Sequence, residues 1–147
     1  KVIIHPESII HSLVEFQDGA VMAQLGTPDM RVPIQYALSY PNRLPLSGER
    51  LSLTELQSLH FYEPDLDRFP SLRFAFESGR MGGTMPTVLN AANEVAVERF
   101  LQRDITFLEI EECVERALET HIFVANPDID GIDEADRWAR AFVKGRK

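Results

Sequence analysis

Apolar and polar positions alternate with one period in the first part of the chain and with another in the rest. In residues 1–27 the apolar residues come in short runs that read as strands. Val2-Ile3-Ile4 stops at His5-Pro6, where proline removes a ladder donor. Two further runs, residues 9–16 and 20–25, flank Gln17-Asp18-Gly19, and Asp-Gly between apolar runs predicts a hairpin. Strict alternation sets Ile10, Ser12, Val14 and Phe16 on one face and Ile9, His11 and Leu13 on the other. Both faces are half apolar, which predicts a hairpin lying in a covered sheet. Gly26-Thr27-Pro28-Asp29 reads as a turn. Asp29 is the expected N-cap of a helix that ends before Pro41, with Pro33 in its first turn and Ile34, Ala37 and Leu38 as its apolar stripe.

Residues 41–63 lose any sustained period. Pro41, Pro45, Ser47 and Gly48 punctuate them, so they read as a connecting segment with one short helical turn near Leu53–Leu56. From residue 64 onward the spacing is helical. Leu72, Ala75, Phe76 and Gly79 repeat after Phe69-Pro70, and Gly82-Gly83 stops that helix. Pro86 opens a second helix with Val88, Leu89, Ala92, Val95, Ala96 and Phe100 on a wide apolar face. Thr106 and Glu109 form a capping box ahead of Phe107, Ile110, Val114, Ala117, Leu118 and His121. Asp133 is the expected cap of a last helix carrying Ala135, Trp138 and Phe142. The fold class is therefore α+β: an N-terminal hairpin segment completing a mixed sheet, then a C-terminal bundle of four helices.

Composition narrows the function classes. The chain has 147 residues, 44% hydrophobic and 26% charged, which are ordinary globular values. With 23 Asp+Glu against 15 Lys+Arg the net charge is −8, which argues against a nucleic-acid partner. No apolar run reaches the roughly 18 residues of a membrane helix. The lone cysteine, Cys113, falls in a helical stripe as a small hydrophobe. The chain opens inside a strand-like run without Met, which predicts the interior of a longer protein.

Candidate chemistry is sparse. Dinucleotide, phosphate-loop and nucleophile-elbow motifs are all absent from the sequence. Gly82-Gly83 precedes a helix, where a phosphate can sit, but a glycine pair is first of all a helix–helix corner. No two of His5, His11, His60 and His121 have metal-binding helical spacing. His121 closes a helical stripe and reads as structural. His11 stands mid-strand between Ser8 and Ser12 and is the histidine with a chemical role in prospect. Asn93 falls among Leu89, Val97 and Phe100 on the helical wheel, which predicts a buried, hydrogen-bonded clip. Glu109, Glu111, Glu112, Glu115 and Glu119 fit a solvated helix face.

Several stretches resemble one family, 1-deoxy-D-xylulose 5-phosphate reductoisomerase. They are Ile4-His5-Pro6-Glu7-Ser8-Ile9-Ile10-His11-Ser12, Ala23 to Arg31, Pro33 to Ala37, Phe69 to Arg73, Gly82-Gly83-Thr84 and Leu89 to Val97. The resemblance implies an enzyme that uses NADPH and a divalent metal, magnesium or manganese. It rearranges 1-deoxyxylulose 5-phosphate and then reduces the aldehyde to methylerythritol 4-phosphate, in non-mevalonate isoprenoid biosynthesis. It further implies a homodimer in bacterial cytoplasm or plastid. Residues 1–40 would be the end of the catalytic domain, 41–63 a connection and 64–147 the C-terminal helical domain. His11 matches a family histidine close to the substrate, with Ser8 near it. Pro28 and Met30 match positions that pack against an aromatic residue of a mobile loop. The NADPH-binding part and the metal ligands fall on no residue of this chain, so the segment alone is expected to be inactive. Two other readings stand beside this one: a non-catalytic dimerisation or scaffolding module of the same ancestry, and an independent metal enzyme using His5 and His11.

Overall fold

The computed structural model describes residues 1–145. Their contacts divide the chain into two units, Lys1–Pro64 and Asp65–Lys147. The first unit holds β1 (Ile10–Glu15), β2 (Val21–Leu25), α1 (Arg31–Ser39) and the single turn α2 (Leu53–Leu56). The strands pair antiparallel as the Asp-Gly step predicts. Gly19 takes a φ of +87°, and its N–H donates to the Phe16 carbonyl at 3.0 Å, while Asp18 Oδ1 accepts the Ala20 N–H at 3.0 Å. An L side chain disfavours that backbone region, so glycine is the residue the loop selects.

In this unit the first run departs from the expected strand, and apolar surfaces of the hairpin and α1 lie exposed. Val2-Ile3-Ile4 makes a single bridge, Ile4 with Tyr62, and no longer strand. The sheet has two strands, and among the described residues its apolar side chains are uncovered, Met22 being 65% exposed. The α1 stripe also faces outward, with Leu38 85% exposed and Ile34 beside it. A two-stranded ribbon of this kind is marginal in water without a covering layer. The N-cap of α1 is Met30 rather than Asp29, which lies one residue earlier with its Oδ1 accepting the Arg31 N–H at 3.0 Å.

The second unit is a bundle of α3 (Pro70–Met81), α4 (Met85–Leu101), α5 (Phe107–Thr120) and α6 (Ile129–Lys144). Its core is α4, whose Val88, Ala91, Ala92, Val95 and Ala96 are buried against Phe74, Cys113, Val114, Ala117, Ala135, Ala139 and Val143. The alanines at these crossings let helix backbones approach closely, and small side chains at contact points set the interhelical distance. Glu109 accepts the Thr106 N–H at 2.6 Å, the reach-back bond of the capping box, and it also accepts the Thr106 hydroxyl at 2.7 Å. Arg140 ties α6 to α4, donating to Glu94 at 2.6 Å and to its own neighbour Asp136 at 2.7 Å.

Phase errors account for the differences in this unit. α3 buries Phe74 and Ser78 rather than Ala75, Phe76 and Gly79; an aromatic on each face leaves the period clear and the inward face undetermined. α6 starts a turn earlier than Asp133, because Asp128 Oδ1 accepts the Gly131 N–H at 2.8 Å and caps there. Asn93 is exposed, not an internal clip, since the buried stripe of α4 is centred on Val88, Ala92 and Val95 and leaves Asn93 well off it.

Candidate functional site

The first unit carries an open cavity of about 860 Å³ between the hairpin base, the 26–30 turn, α1 and the connecting segment. Ser8, His11, Pro28 and Met30 all line it. His11 reaches it by an irregularity that alternation does not anticipate. Ile10 pairs with Leu25 and Ser12 with Gln24, so β1 advances two residues where β2 advances one. His11 is the extra residue of a β-bulge, a device that re-aims side chains near strand ends. Consecutive residues His11 and Ser12 therefore both line the cavity, which regular pleating forbids.

The 27–31 turn is fixed by charge. Arg31 Nε and Nη2 grip both oxygens of Asp29 at 2.7 to 3.0 Å, and the Thr27 hydroxyl donates to the Glu49 carbonyl at 3.3 Å. The Arg31 side chain holds the Asp29 carboxyl below its ordinary range, so the pair stays ionised through neutral pH. The rigid turn presents Pro28 and a Met30 that is 71% exposed, an apolar platform beside the cavity. Also lining the cavity, the Arg43 guanidinium lies 4.1 Å over the Tyr36 ring.

His5 does not join His11. Its Nδ1 donates to the His60 carbonyl at 2.8 Å and lies 3.0 Å from Glu7 Oε2, and its ring stacks on Phe61. His60 Nδ1 donates to Glu7 Oε1 and the His60 N–H to Glu7 Oε2 at 3.2 Å. The hydrogen bond from His60 pulls the Glu7 carboxyl down to about 2. Sequence reading missed this cluster, because its partners are 53 residues apart and no local pattern joins them. Among the described residues no three His, Cys, Asp or Glu side chains are placed to hold an ion. His5 is committed to His60, Glu7 and Phe61, whereas His11 lines the cavity, so the two are not brought together.

In the second unit the Gly82-Gly83 corner is filled by protein. The Thr84 N–H donates to the Val124 carbonyl at 3.1 Å, and the Thr84 hydroxyl accepts the Val124 N–H at 3.2 Å. That hydroxyl also meets His121 Nε2 at 2.8 Å, and the imidazole rests on Trp138. Burial pushes the His121 imidazole below its usual value. A histidine with a depressed folded pKa contributes stability that is present above its unfolded value and lost as pH falls through the folded one. The 147-residue chain is accordingly expected to melt at a lower temperature at pH 5.5 than at pH 7.5, and His121→Gln should flatten that difference. Glu94 and Glu109, held low by Arg140 and Thr106, lose their contributions only in more acid solution. Thermal unfolding followed by circular dichroism at the two pH values checks this; an equal slope in the variant would rule out His121 as its source.

A short antiparallel hairpin with a bulged histidine at its base, followed in sequence by an all-helical bundle, makes the described residues a mostly helical α+β chain. Residues 25–142 match the DXP reductoisomerase C-terminal domain family, and the chain belongs to that family. It is 63% identical over 143 residues to 1-deoxy-D-xylulose 5-phosphate reductoisomerase of Exiguobacterium sibiricum, covering 97% of this chain and 37% of that one. It is 62% identical to the Bacillus subtilis protein of the same name, with the same coverage. Among solved structures, it matches the Zymomonas mobilis reductoisomerase in complex with NADPH at 42% identity and a TM-score of 0.86. That match covers 97% of this chain and 38% of the other. A reductoisomerase in complex with NADPH, fosmidomycin and magnesium matches at 38% identity and a TM-score of 0.89, over 97% and 37% of the two chains. The chain thus spans little more than a third of the length of these relatives.

Proposed function

We propose that this chain is the C-terminal part of an NADPH- and divalent-metal-dependent reductoisomerase that converts 1-deoxy-D-xylulose 5-phosphate to 2-C-methyl-D-erythritol 4-phosphate. Residues 1–40 end its catalytic domain, 41–63 connect, and 64–147 form its helical domain. The observation that carries this reading is the cavity, which brings Ser8 and His11 together with Pro28 and Met30 in a chain of this family. His11 contacts the sugar phosphate from the bulge, Ser8 flanks it, and Pro28 with Met30 seats a closing loop that keeps water from the reaction. NADPH and the metal, magnesium or manganese, are held by residues outside this segment; the metal supplies Lewis acidity to the hydroxyketone. The apolar hairpin surfaces support pairing with the rest of the catalytic sheet or with the second copy of a homodimer.

The test is an assay of the 147-residue chain and of the full-length protein with substrate, NADPH and manganese. Turnover by the full-length protein and none by the segment is expected. Turnover by the segment alone refutes its dependence on the missing parts, and an inactive full-length protein refutes the assignment. Light scattering with titration by a phosphonate inhibitor separates the scaffolding alternative, for which a stable dimer that ignores the inhibitor is the signature.

A further inference from the structure

One cluster of the first unit has no place in the site as described: His5, Glu7 and His60. None of the three lines the cavity, yet Ser8, which does, follows Glu7 directly. Ser8 sits at the end of a turn closed by its own N–H on the His5 carbonyl at 3.1 Å, and its φ is +52°. A non-glycine residue in that region persists only where its surroundings over-determine it. The surroundings that do so are all on one side. Glu7 accepts both the ring and the backbone N–H of His60, and His5 donates to the His60 carbonyl, its side chain 7% exposed and stacked on Phe61. The backbone bridge between Ile4 and Tyr62, at 2.9 and 3.0 Å, continues the same seam. A turn of four residues is thereby held by a segment more than fifty positions later.

We propose that Glu7 and His60 are a positioning pair: by clamping the His5–Ser8 turn to the 60–62 segment they hold Ser8 in its strained conformation at the cavity wall, and so set affinity for the sugar phosphate without touching it. This rests on the reading of the cavity as the substrate's place. The carboxylate suits the role because one rigid anion satisfies two N–H groups of the same residue, and charge-assisted bonds of that kind fix geometry as well as contributing energy. Groups that orient a contact residue act on binding through displacements well under an ångström.

The experiment uses the full-length enzyme with Glu7→Ala, His60→Ala, the double variant, Glu7→Gln and Ser8→Ala. KM for 1-deoxyxylulose 5-phosphate, KM for NADPH, kcat and Tm are measured for each. The expected result is a rise of roughly tenfold in the sugar-phosphate KM for either alanine variant, with KM for NADPH and Tm unchanged. The double variant should be no worse than either single, and Glu7→Gln, whose amide oxygen still accepts from His60, should recover most of the loss. A sugar-phosphate KM unmoved in both single variants, or a loss that moves KM for NADPH and Tm along with it, overturns the positioning role; His60→Asn substitutes if His60→Ala does not fold. A silent Ser8→Ala sinks the cavity reading on which the pair depends, whereas an impaired Ser8→Ala beside silent Glu7 and His60 variants sinks the pair alone.

Discussion

Replacing Gly83 by alanine is expected to destabilise the helical unit by roughly 3–4 kcal/mol, combining left-handed backbone strain with the loss of two hydrogen bonds. Gly83 has a φ of +54°, and a Cβ there would stand 2.2 Å from the Val124 carbonyl oxygen and 2.8 Å from the Phe123 ring. The obstructing atom is backbone, so the 123–125 segment has to withdraw. Its withdrawal breaks both bonds between Thr84 and Val124 and unseats the hydroxyl that meets His121. For a domain of this size a loss of that magnitude lowers Tm by upwards of about 10 °C. Two neighbouring glycines calibrate the result. Gly82 has a φ of +66° but open space around its would-be Cβ, so Gly82→Ala carries the strain alone, about 1–2 kcal/mol. Gly79 is helical and unobstructed, so Gly79→Ala should stabilise by about 0.5–1 kcal/mol. Thermal melts of the three variants in the 147-residue chain test the series, and a Gly83→Ala no worse than Gly82→Ala would show that the 123–125 segment yields without cost.

The same corner shows what local sequence can and cannot carry. Gly-Gly before a helix announces a sharp reversal, and the reversal is there, but only the tertiary approach of Val124 tells which glycine is indispensable. The hairpin, the capping box at Thr106 and the turn at Leu53–Leu56 were legible because each is written within a few residues. Inward faces were less so. α3 carries Phe74 and Phe76 on different sides, and the partner helix decides between them. Asn93 lies among apolar neighbours on an idealised wheel, yet the stripe that α4 buries is narrower and centred elsewhere. At the site, His11 stood out mid-strand and Ser8, Pro28 and Met30 were named through resemblance, while His11 reaches the cavity through a bulge that breaks the period-two pattern there. The Glu7–His60 clamp left no trace at all, since its two halves fall in segments with no shared pattern.

On the function proposed above, His11→Ala in the full-length enzyme is expected to lower kcat/KM for 1-deoxyxylulose 5-phosphate by about 10²–10⁴-fold, the range of a group that takes part in proton transfer or hydrogen-bonds the reacting oxygens. The argument is geometric. Of the histidines in the first unit, His5 is enclosed and committed to His60 and Glu7, and His60 is committed to Glu7, whereas His11 lines the cavity. The bulge turns it and Ser12 to the same wall, where an imidazole can donate or accept at a substrate oxygen without competing for a protein partner on the way. The split between parameters identifies what it does. A loss carried by kcat, unrecovered in His11→Asn, marks proton transfer; a loss carried by KM and largely recovered by the asparagine amide marks a hydrogen bond made equally in ground and transition states. His121→Gln serves as the control, since it removes a histidine of the helical unit that contacts Thr84 and Trp138 and should leave both constants alone. A His11→Ala enzyme with unchanged kcat/KM would remove the histidine from the chemistry and leave the cavity to the Pro28–Met30 platform.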